Sequence, residues 1–395
     1  MKKVKFIVTL VLLLAMLSIT ACGTNNTKNV LDSEQSGKGN QSAWLETAAL
    51  DKEFDEAALY EAAKKEGKVV LYSMSSRTAD VKTAFEEKYP GITIDVYDMR
   101  ITEIIEKVER EHDSGVYNAD VVFIKDPDGA VYNEFIKKGI LHNYVPSDIG
   151  TKMEEQYKEP AFAPYFEWRS VYYNSEVYKE PPISNWWDLT LPEWRGKIMI
   201  SDPLTNNEDM GLFLTMINHA DEMATAYKQK FGKDIELVDT ENAGYEFIKR
   251  LAKNDLIFTN SSDEMIQAVG AAGQEKPPIG IGTSSKIRQK SKGYLIESVR
   301  EMQPKLGTTF PAILLVVDNA PHVNAAKLLI HFMAGDTDGK SDGFKPFNVE
   351  GAWPTRSDVE GKGVPPQNSD FWPLDLDFNY ENMPKLRDFW MTVSQ

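Results

Sequence analysis

The sequence is poor in cysteine and histidine and lacks the short motifs that mark several common enzyme classes. It has one cysteine, Cys22, and five widely separated histidines. This excludes an internal disulfide and argues against a metal site of closely spaced histidines. No GxSxG, HExxH or P-loop sequence is present, and Gly280-Ile281-Gly282 lacks the third glycine of a dinucleotide fingerprint. We therefore expect no enzyme, no cofactor and no resident metal.

A single long apolar run lies at the amino terminus. Three lysines precede the run over residues 6–21, which leads into Cys22 and is too short for a membrane-spanning helix. This layout is typical of a secretory signal, and Ile19-Thr20-Ala21-Cys22 resembles a bacterial lipobox. We expect a lipoprotein signal peptide over residues 1–22, lipidation of Cys22, and an extracytoplasmic protein anchored to the cell membrane by lipid.

The rest of the composition predicts a tether, an acidic protein and more than one core. Residues 23–50 begin with a stretch rich in Asn, Ser, Gly and Lys, which is typical of a flexible tether. Asp and Glu outnumber Lys and Arg by 60 to 44, so nucleic acid is not an expected partner. The remainder is longer than one hydrophobic core usually serves, which predicts two lobes.

Short apolar strands alternate with amphipathic helices along the folded part of the chain. Strict alternation predicts an α/β fold with a mostly parallel sheet, because parallel strands need crossover connections. The predicted strands are residues 68–73, 92–99, 119–124, 197–202, 277–282 and 312–318. The predicted helices are residues 55–66, 77–89, 101–108, 130–140, 209–220, 243–254 and 323–335.

Polar loops follow four of these strands. Ligands in open α/β sheets bind beyond the carboxyl ends of the strands, so we predict ligand contacts in these loops. Hydroxyls, backbone N–H groups and cations there suit an anion, although a capped helix or a solvated turn also explains several of them. The predicted ligand-binding residues of these loops are Ser73, Ser75, Ser76, Arg77, Lys125, Asp126, Thr205, Asn206, Asn207, Ser284, Ser285, Lys286 and Arg288.

Several blocks of sequence resemble the solute-binding proteins of bacterial ABC importers. They are VVLYSMSSR, the segment from SVYYN to GKIMISDP at 170–203, AILLVVDNAPHVNAAKLLIHFMAG at 312–335, and the late AWPTRSDV. The ferric-iron-binding type is the most similar, from about residue 55 to about residue 360. The resemblance implies a two-lobed, periplasmic-binding-protein-like fold of type II that closes on a solute in a hinge cleft. It also implies an ABC permease as partner.

The resemblance further implies how the chain divides between the lobes. Lobe 1 would comprise residues 51–170 and 306–355, and lobe 2 residues 171–305 and 356–395. The chain would cross near Tyr172-Tyr173-Asn174, return within residues 308–317, and cross again after Trp353. We add Tyr173 to the predicted ligand contacts.

The sequence departs from the iron-binding type where those proteins hold their metal. They use two adjacent tyrosines, whose phenolate oxygens suit Fe(III), in the loop that here reads IGIGTSSKIR, and the matching positions fall near Ser284 and Ser285. Serines followed by Lys286 and Arg288 favour a small anionic or phosphorylated organic solute, held also by Arg77. A protein for ferric iron or an iron chelate stays open as an alternative, as does a lipid-anchored hydrolase.

Overall fold

The computed structural model describes residues 43–364, 366–367 and 370–394. The predicted signal peptide, with Cys22, and most of the predicted tether lie outside the described residues. The last residues of the predicted tether are described by the structure. Ala48 is fully buried there, and its carbonyl accepts a hydrogen bond from Lys327 at 2.7 Å. The main folded unit begins at Thr47, so residues 47–50 of the predicted tether belong to that unit. Among the described helices, none has both the length and the apolar character to cross a bilayer.

The described elements follow the predicted alternation closely. The strands are β1 Lys68–Ser73, β2 Thr93–Asp98, β3 Val121–Ile124, β4 Leu141–Asn143, β5 Phe162–Asn174, β6 Ile198–Ser201, β7 Ile257–Thr259, β8 Ile279–Thr283, β9 Ile296–Ser298, β10 Gly307–Val317, β11 Trp353–Pro354 and β12 Phe371–Trp372. The α-helices are α1 Glu56–Glu66, α2 Thr78–Lys88, α3 Ile101–Asp113, α4 Ser147–Gly150, α5 Asn207–Asn218, α6 Ala220–Phe231, α7 Ala243–Ala252, α8 Ser262–Val269, α9 Val323–Met333 and α10 Leu376–Val393. Residues 43–48 are also helical. A π-helical turn spans Val131–Ile136, and a 3₁₀ helix spans Ser284–Lys292.

The strands join in one sheet with the order β2-β1-β3-β10-β5-β8-β6-β7. β1 is parallel to β2 and β3, and β6 is parallel to β7 and β8. β10 is antiparallel to β3 and β5, and β5 is antiparallel to β8. The prediction of a mostly parallel sheet is therefore confirmed at both ends of the sheet and wrong at its centre, where the chain passes directly from one end to the other.

β5 is the strand that connects the two ends. Its first half pairs with β10 up to Trp168, and from Arg169 onward it pairs with β8. The change of partner thus comes a few residues before the predicted crossing at Tyr172. Beyond β11, Arg356 donates to the Ala334 carbonyl at 2.9 Å, so the chain still contacts the first half of the molecule at this residue.

Each end of the sheet has its own hydrophobic core. Strands β1 and β3 pack against α3, with Val70, Ile104 and Val122 buried between them. The second core is larger and is centred on Trp186 and Trp187. α10 closes this second core, with Leu386 and Trp390 on its buried face.

Candidate functional site

A cleft of about 710 Å³ lies between the two halves of the sheet. Strands β1, β2 and β3 end at it on one side, and β6, β7 and β8 end at it on the other. The loops after all six strands supply most of its lining, as expected for an α/β sheet, and β5 supplies Tyr165 and Glu167. The lining residues are Met74, Ser75, Ser76, Arg77, Arg100, Ile101, Thr102, Lys125, Tyr165, Glu167, Ser201, Asp202, Thr205, Asn206, Asn207, Glu208, Phe258, Thr259, Asn260, Ser261, Ser262, Thr283, Ser285, Lys286 and Arg288.

Most of the predicted ligand-binding residues meet in this one cleft, although they are distant in sequence. The predicted residues that line it are Ser75, Ser76, Arg77, Lys125, Thr205, Asn206, Asn207, Ser285, Lys286 and Arg288. Each of the four predicted loops therefore contributes to the same cavity.

Four predicted residues lie elsewhere. Ser73 is fully buried and bonds within its own turn. Asp126 accepts two backbone N–H groups of the turn that follows β3, at 3.0 and 2.8 Å. The Ser284 hydroxyl accepts the N–H of Trp168 at 3.0 Å. Tyr173 belongs to the second hydrophobic core, so its place in the hinge strand does not bring its ring to the cleft.

Four helices begin at the wall of the cleft. Arg77, Arg100, Asn206 and Ser261 are the residues that precede α2, α3, α5 and α8, and all four line the cavity. Helix amino termini carry unpaired N–H groups and a partial positive charge. Their convergence favours a negatively charged ligand group in the cleft.

The charges of the lining contrast with those of the whole protein. Five lining side chains are cationic and three are carboxylates, whereas the full sequence has a net charge of −16. The cleft is therefore a local basic region in an acidic protein, and its attraction for an anion comes from groups at short range.

Arg77 is fixed by three contacts. Its guanidinium donates to the Pro346 carbonyl at 3.0 Å, lies 5.2 Å from the centre of the Phe347 ring, and is 3.7 Å from Glu167. These contacts hold the guanidinium in one orientation at the wall of the cleft. Part of its charge is balanced by Glu167.

Lys125 joins two carboxylates at the base of the cleft. Its ammonium group donates to Glu167 at 2.7 Å and to Glu208 at 2.8 Å, and its side chain is only 3% exposed. Burial would lower the pKa of Lys125, but the two carboxylates raise it above its usual range. Burial likewise opposes ionisation of Glu167, but Lys125 and Arg77 lower the Glu167 pKa to about 2. Both groups are thus charged at neutral pH.

Arg169 does not line the cleft, but it contacts residues at the base of the cleft. Its guanidinium is fully buried and binds Asp209 through two hydrogen bonds of 2.7 and 2.9 Å. It also lies 3.1 Å from the Thr283 hydroxyl. Because Arg169 is on β5 and Asp209 is on α5, this pair fixes α5 against the connecting strand.

Lys286 and Arg288 differ in how their charges are balanced. Lys286 lies 2.5 Å from Asp263, and burial lowers its pKa despite this partner. Arg288 donates to the carbonyl and the hydroxyl of Ser285, at 2.5 and 3.1 Å. Within the part of the chain that the structure describes, Arg288 has no carboxylate partner. Burial, and then repulsion from Arg77, lower the Arg288 pKa, so a ligand anion beside Arg288 would relieve unfavourable electrostatics.

The lining offers little to a bare ferric ion. The described residues contain no cluster of three or more His, Cys, Asp or Glu side chains placed to hold a metal. Tyr165 is the one tyrosine in the lining. The Tyr172 hydroxyl instead donates to the carbonyls of Thr283 and Ser284, at 2.9 and 2.6 Å. The adjacent pair of phenolates typical of the iron-binding type is not assembled here.

Several lining residues were not predicted from sequence. Arg100 and Ser261 follow β2 and β7, so the rule that located the other loops also applies to them. Glu208 lies in the first turn of α5, where the sequence pattern indicates only helix capping. Glu167 lies inside β5, a strand without clear alternation of apolar and polar residues, so no local sequence pattern marks it. Only the tertiary fold places it at the cleft.

Comparison with known proteins agrees with this architecture. The family described as bacterial extracellular solute-binding protein matches residues 68–340. No curated protein sequence gave a match. The fold is the two-lobed α/β fold of the periplasmic binding proteins, as the sequence predicts.

Three solved structures illustrate the likeness. Apo ferric ion-binding protein A of Pasteurella haemolytica has a TM-score of 0.61 at 16% identity, covering 83% of this chain and 98% of its own. AfuA of Actinobacillus pleuropneumoniae, with fructose-6-phosphate bound, has a TM-score of 0.60 at 19% identity, covering 82% and 98%. Trichodesmium IdiA (FutA), in complex with iron and citrate, has a TM-score of 0.59 at 18% identity, covering 83% and 99%. Proteins of this shape are therefore associated with different ligands, and the ligand of this chain depends on its own cleft.

Proposed function

Because the chain belongs to the bacterial extracellular solute-binding protein family, we propose that it captures a small anionic solute, in particular a phosphorylated organic molecule, between its two lobes. It delivers this solute unchanged to the permease of an ABC importer. Lipidation at Cys22 anchors it on the outer side of the cell membrane, close to that permease. The proposal assigns it no catalytic step.

The environment of Arg288 is the observation that carries this proposal. Arg288 has no carboxylate partner among the described residues, and it lines the same cleft as the starts of four helices and several hydroxyl groups. A phosphate group accepts hydrogen bonds from all of these donors and matches the geometry of a guanidinium. Arg77 and Lys286 add positive charge to the same cleft, although each already has an internal carboxylate partner.

The known ligands of similar folds support the choice of a phosphorylated solute. AfuA, which shares the fold, has fructose-6-phosphate bound. A second candidate is an iron chelate, since Trichodesmium IdiA (FutA) binds iron with citrate and the carboxylates of a chelate would also be attracted to a basic cleft. Bare iron is not supported, because the lining lacks the matching donors.

Binding to Arg288→Gln protein tests the proposal. Isothermal titration of the purified full-length protein in detergent would compare fructose 6-phosphate with fructose, which lacks the phosphate. We expect fructose 6-phosphate to bind and fructose not to bind. Arg288→Gln should weaken fructose 6-phosphate at least about 10-fold, since a charge-assisted hydrogen bond is lost.

Lys290→Gln is the matched control. Lys290 lies on the same 3₁₀ helix, carries the same charge and pairs with Glu297 outside the cleft. It should leave the dissociation constant unchanged. Equal weakening by both variants would show a general charge effect, and no weakening by Arg288→Gln would refute the proposed role of Arg288.

A further inference from the structure

Two carboxylate oxygens on the lining side chains have no hydrogen-bond donor among the described residues. They are Oε1 of Glu167 and Oε2 of Glu208, and each exposes less than 1 Å². The other oxygen of each carboxylate accepts a hydrogen bond from Lys125, at 2.7 and 2.8 Å. Buried acceptors in folded proteins nearly always have a donor. The Ser285 hydroxyl helps to lower the pKa of Glu167, but no group of the described residues donates to either oxygen with normal hydrogen-bond geometry. The two oxygens therefore point to a donor from outside the chain.

The nearest cations do not fill this need. Arg77 lies 3.7 Å from Oε1 of Glu167, and Arg169 lies 3.6 Å from Oε2 of Glu208. Both distances exceed that of a normal N–H···O hydrogen bond. Both guanidinium groups are also held by other partners, Arg77 by a backbone carbonyl and Arg169 by Asp209.

The chemistry of an ionised carboxylate restricts what can bind there. Such a group only accepts hydrogen bonds. A hydroxyl or an ammonium group of a ligand would satisfy it, whereas a second phosphate or carboxylate would be repelled. The anion-binding part of the cleft and these acceptors therefore suit two different ends of one molecule.

We propose that Glu167 and Glu208 form a second subsite, which recognises hydroxyl or ammonium groups on a solute whose anionic end is bound at Arg288. This inference rests on the proposed function and specifies it further. The solute carries both an anionic group and hydrogen-bond donors, as a sugar phosphate does. An inorganic anion occupies the first subsite only.

Glu208→Gln tests the subsite with little change in shape. Lys125 still needs an acceptor, so the amide oxygen turns toward Lys125 and the amide NH₂ group turns toward the cleft. The free acceptor is thereby replaced by a donor. A ligand hydroxyl can then only accept a neutral hydrogen bond from the amide instead of donating to a carboxylate, so we expect the affinity for fructose 6-phosphate to fall about 10-fold. The affinity for orthophosphate should not fall, because the substitution removes a repelling charge.

The measurement is isothermal titration of the full-length protein in detergent with both probes. Glu167→Gln, in which Lys125 imposes the same orientation on the amide, is a second variant with the same expected result. Glu193→Gln, at an exposed position outside the cleft, is the matched control and should bind both probes as the wild type does. Urea unfolding of each variant would establish that it is folded.

The outcomes separate this inference from the proposed function. If both cleft variants bind fructose 6-phosphate as tightly as the wild type while Arg288→Gln does not, the donor-recognising subsite is overturned and the anion site stands. Equal loss of affinity for orthophosphate and fructose 6-phosphate would also overturn the subsite, because it would show a general disturbance of the cleft. If the wild type binds neither probe, the proposed function fails, and the subsite fails with it.

Discussion

Replacing Arg169 by methionine should strongly destabilise the protein. The guanidinium is fully buried and makes two hydrogen bonds to Asp209, which is fully buried as well. Methionine keeps much of the apolar volume but leaves the Asp209 carboxylate in the interior without its main partner. Removing one member of a buried pair costs about 3–5 kcal/mol. Arg169 also donates to the Ile281 carbonyl and the Thr283 hydroxyl. Burial raises the pKa of Asp209 to about 7 even beside Arg169, so protonation of Asp209 relieves part of the cost and we expect a loss near the lower end of that range.

A double variant separates the lost attraction from the buried, unpaired charge. In Arg169→Met with Asp209→Leu, both charges are gone and apolar side chains occupy the space. Such replacements are often close to neutral, so we expect the double variant to recover at least half of the stability that the single variant loses.

The assay is urea unfolding at pH 7, followed by tryptophan fluorescence, with the wild type, both single variants and the double variant. The eight tryptophans include Trp168, the neighbour of the substituted residue. Lys290→Gln serves as a control for the loss of a surface cation. A loss below about 1 kcal/mol for Arg169→Met, or a double variant no more stable than the single, would refute the view that this pair fixes α5 to β5.

Two further predictions concern the packing of a loop and the titration of a buried histidine. Gly129→Ala should destabilise the protein by about 1–3 kcal/mol more than Gly67→Ala, measured by urea unfolding. Both glycines have positive φ, but a Cβ at Gly129 would lie 1.9 Å from the Leu376 carbonyl oxygen, whereas one at Gly67 meets nothing within 4 Å; equal losses would refute the packing argument. Burial would lower the pKa of His331, but Asp148 and a second carboxylate raise it. The pKa of His331 is higher in the folded than in the unfolded protein. The stability that protonated His331 contributes is therefore complete below about pH 6.5 and disappears as pH rises through the folded-state pKa. His331→Phe should flatten that part of the profile of unfolding free energy against pH, and an unchanged slope would contradict the assignment.

Local sequence patterns predicted the outer parts of the fold well. α1 begins after Asp55, whose carboxylate accepts the N–H of Ala58, and ends at Gly67 in a left-handed conformation. These are the cap and stop signals that the sequence displays. Patterns of this kind depend on neighbours in the chain, so they can be read without knowing the fold.

The centre of the fold could not be predicted in the same way. β5 is buried along almost all of its length, so it shows no alternation of apolar and polar residues that would distinguish it from other buried segments. Its antiparallel pairing with β10 joins residues more than a hundred positions apart. Glu167, which lies on β5, was missed for the same reason.

In the candidate site, too, features that depend on neighbours in the chain could be predicted, and features that depend on distant contacts could not. The rule that ligands bind beyond strand ends located the loops that contain Arg77, Lys125 and Arg288. It did not reveal that Arg77 and Lys125 form ion pairs with Glu167, or that Arg288 forms no ion pair among the described residues. Those differences depend on distances between loops, and they decide which residues are available to a ligand.

Native mass spectrometry of the bound solute tests the central claim most directly. Full-length protein, purified in detergent without chelators from cells grown in rich medium, would be weighed before and after denaturation, and the released compound would be analysed for phosphorus and iron. We expect an organic anion that contains a phosphate group and hydroxyl or amino groups, with no metal. Release of iron, or of an uncharged organic compound, would contradict the assignment of the cleft to an anionic, phosphorylated solute.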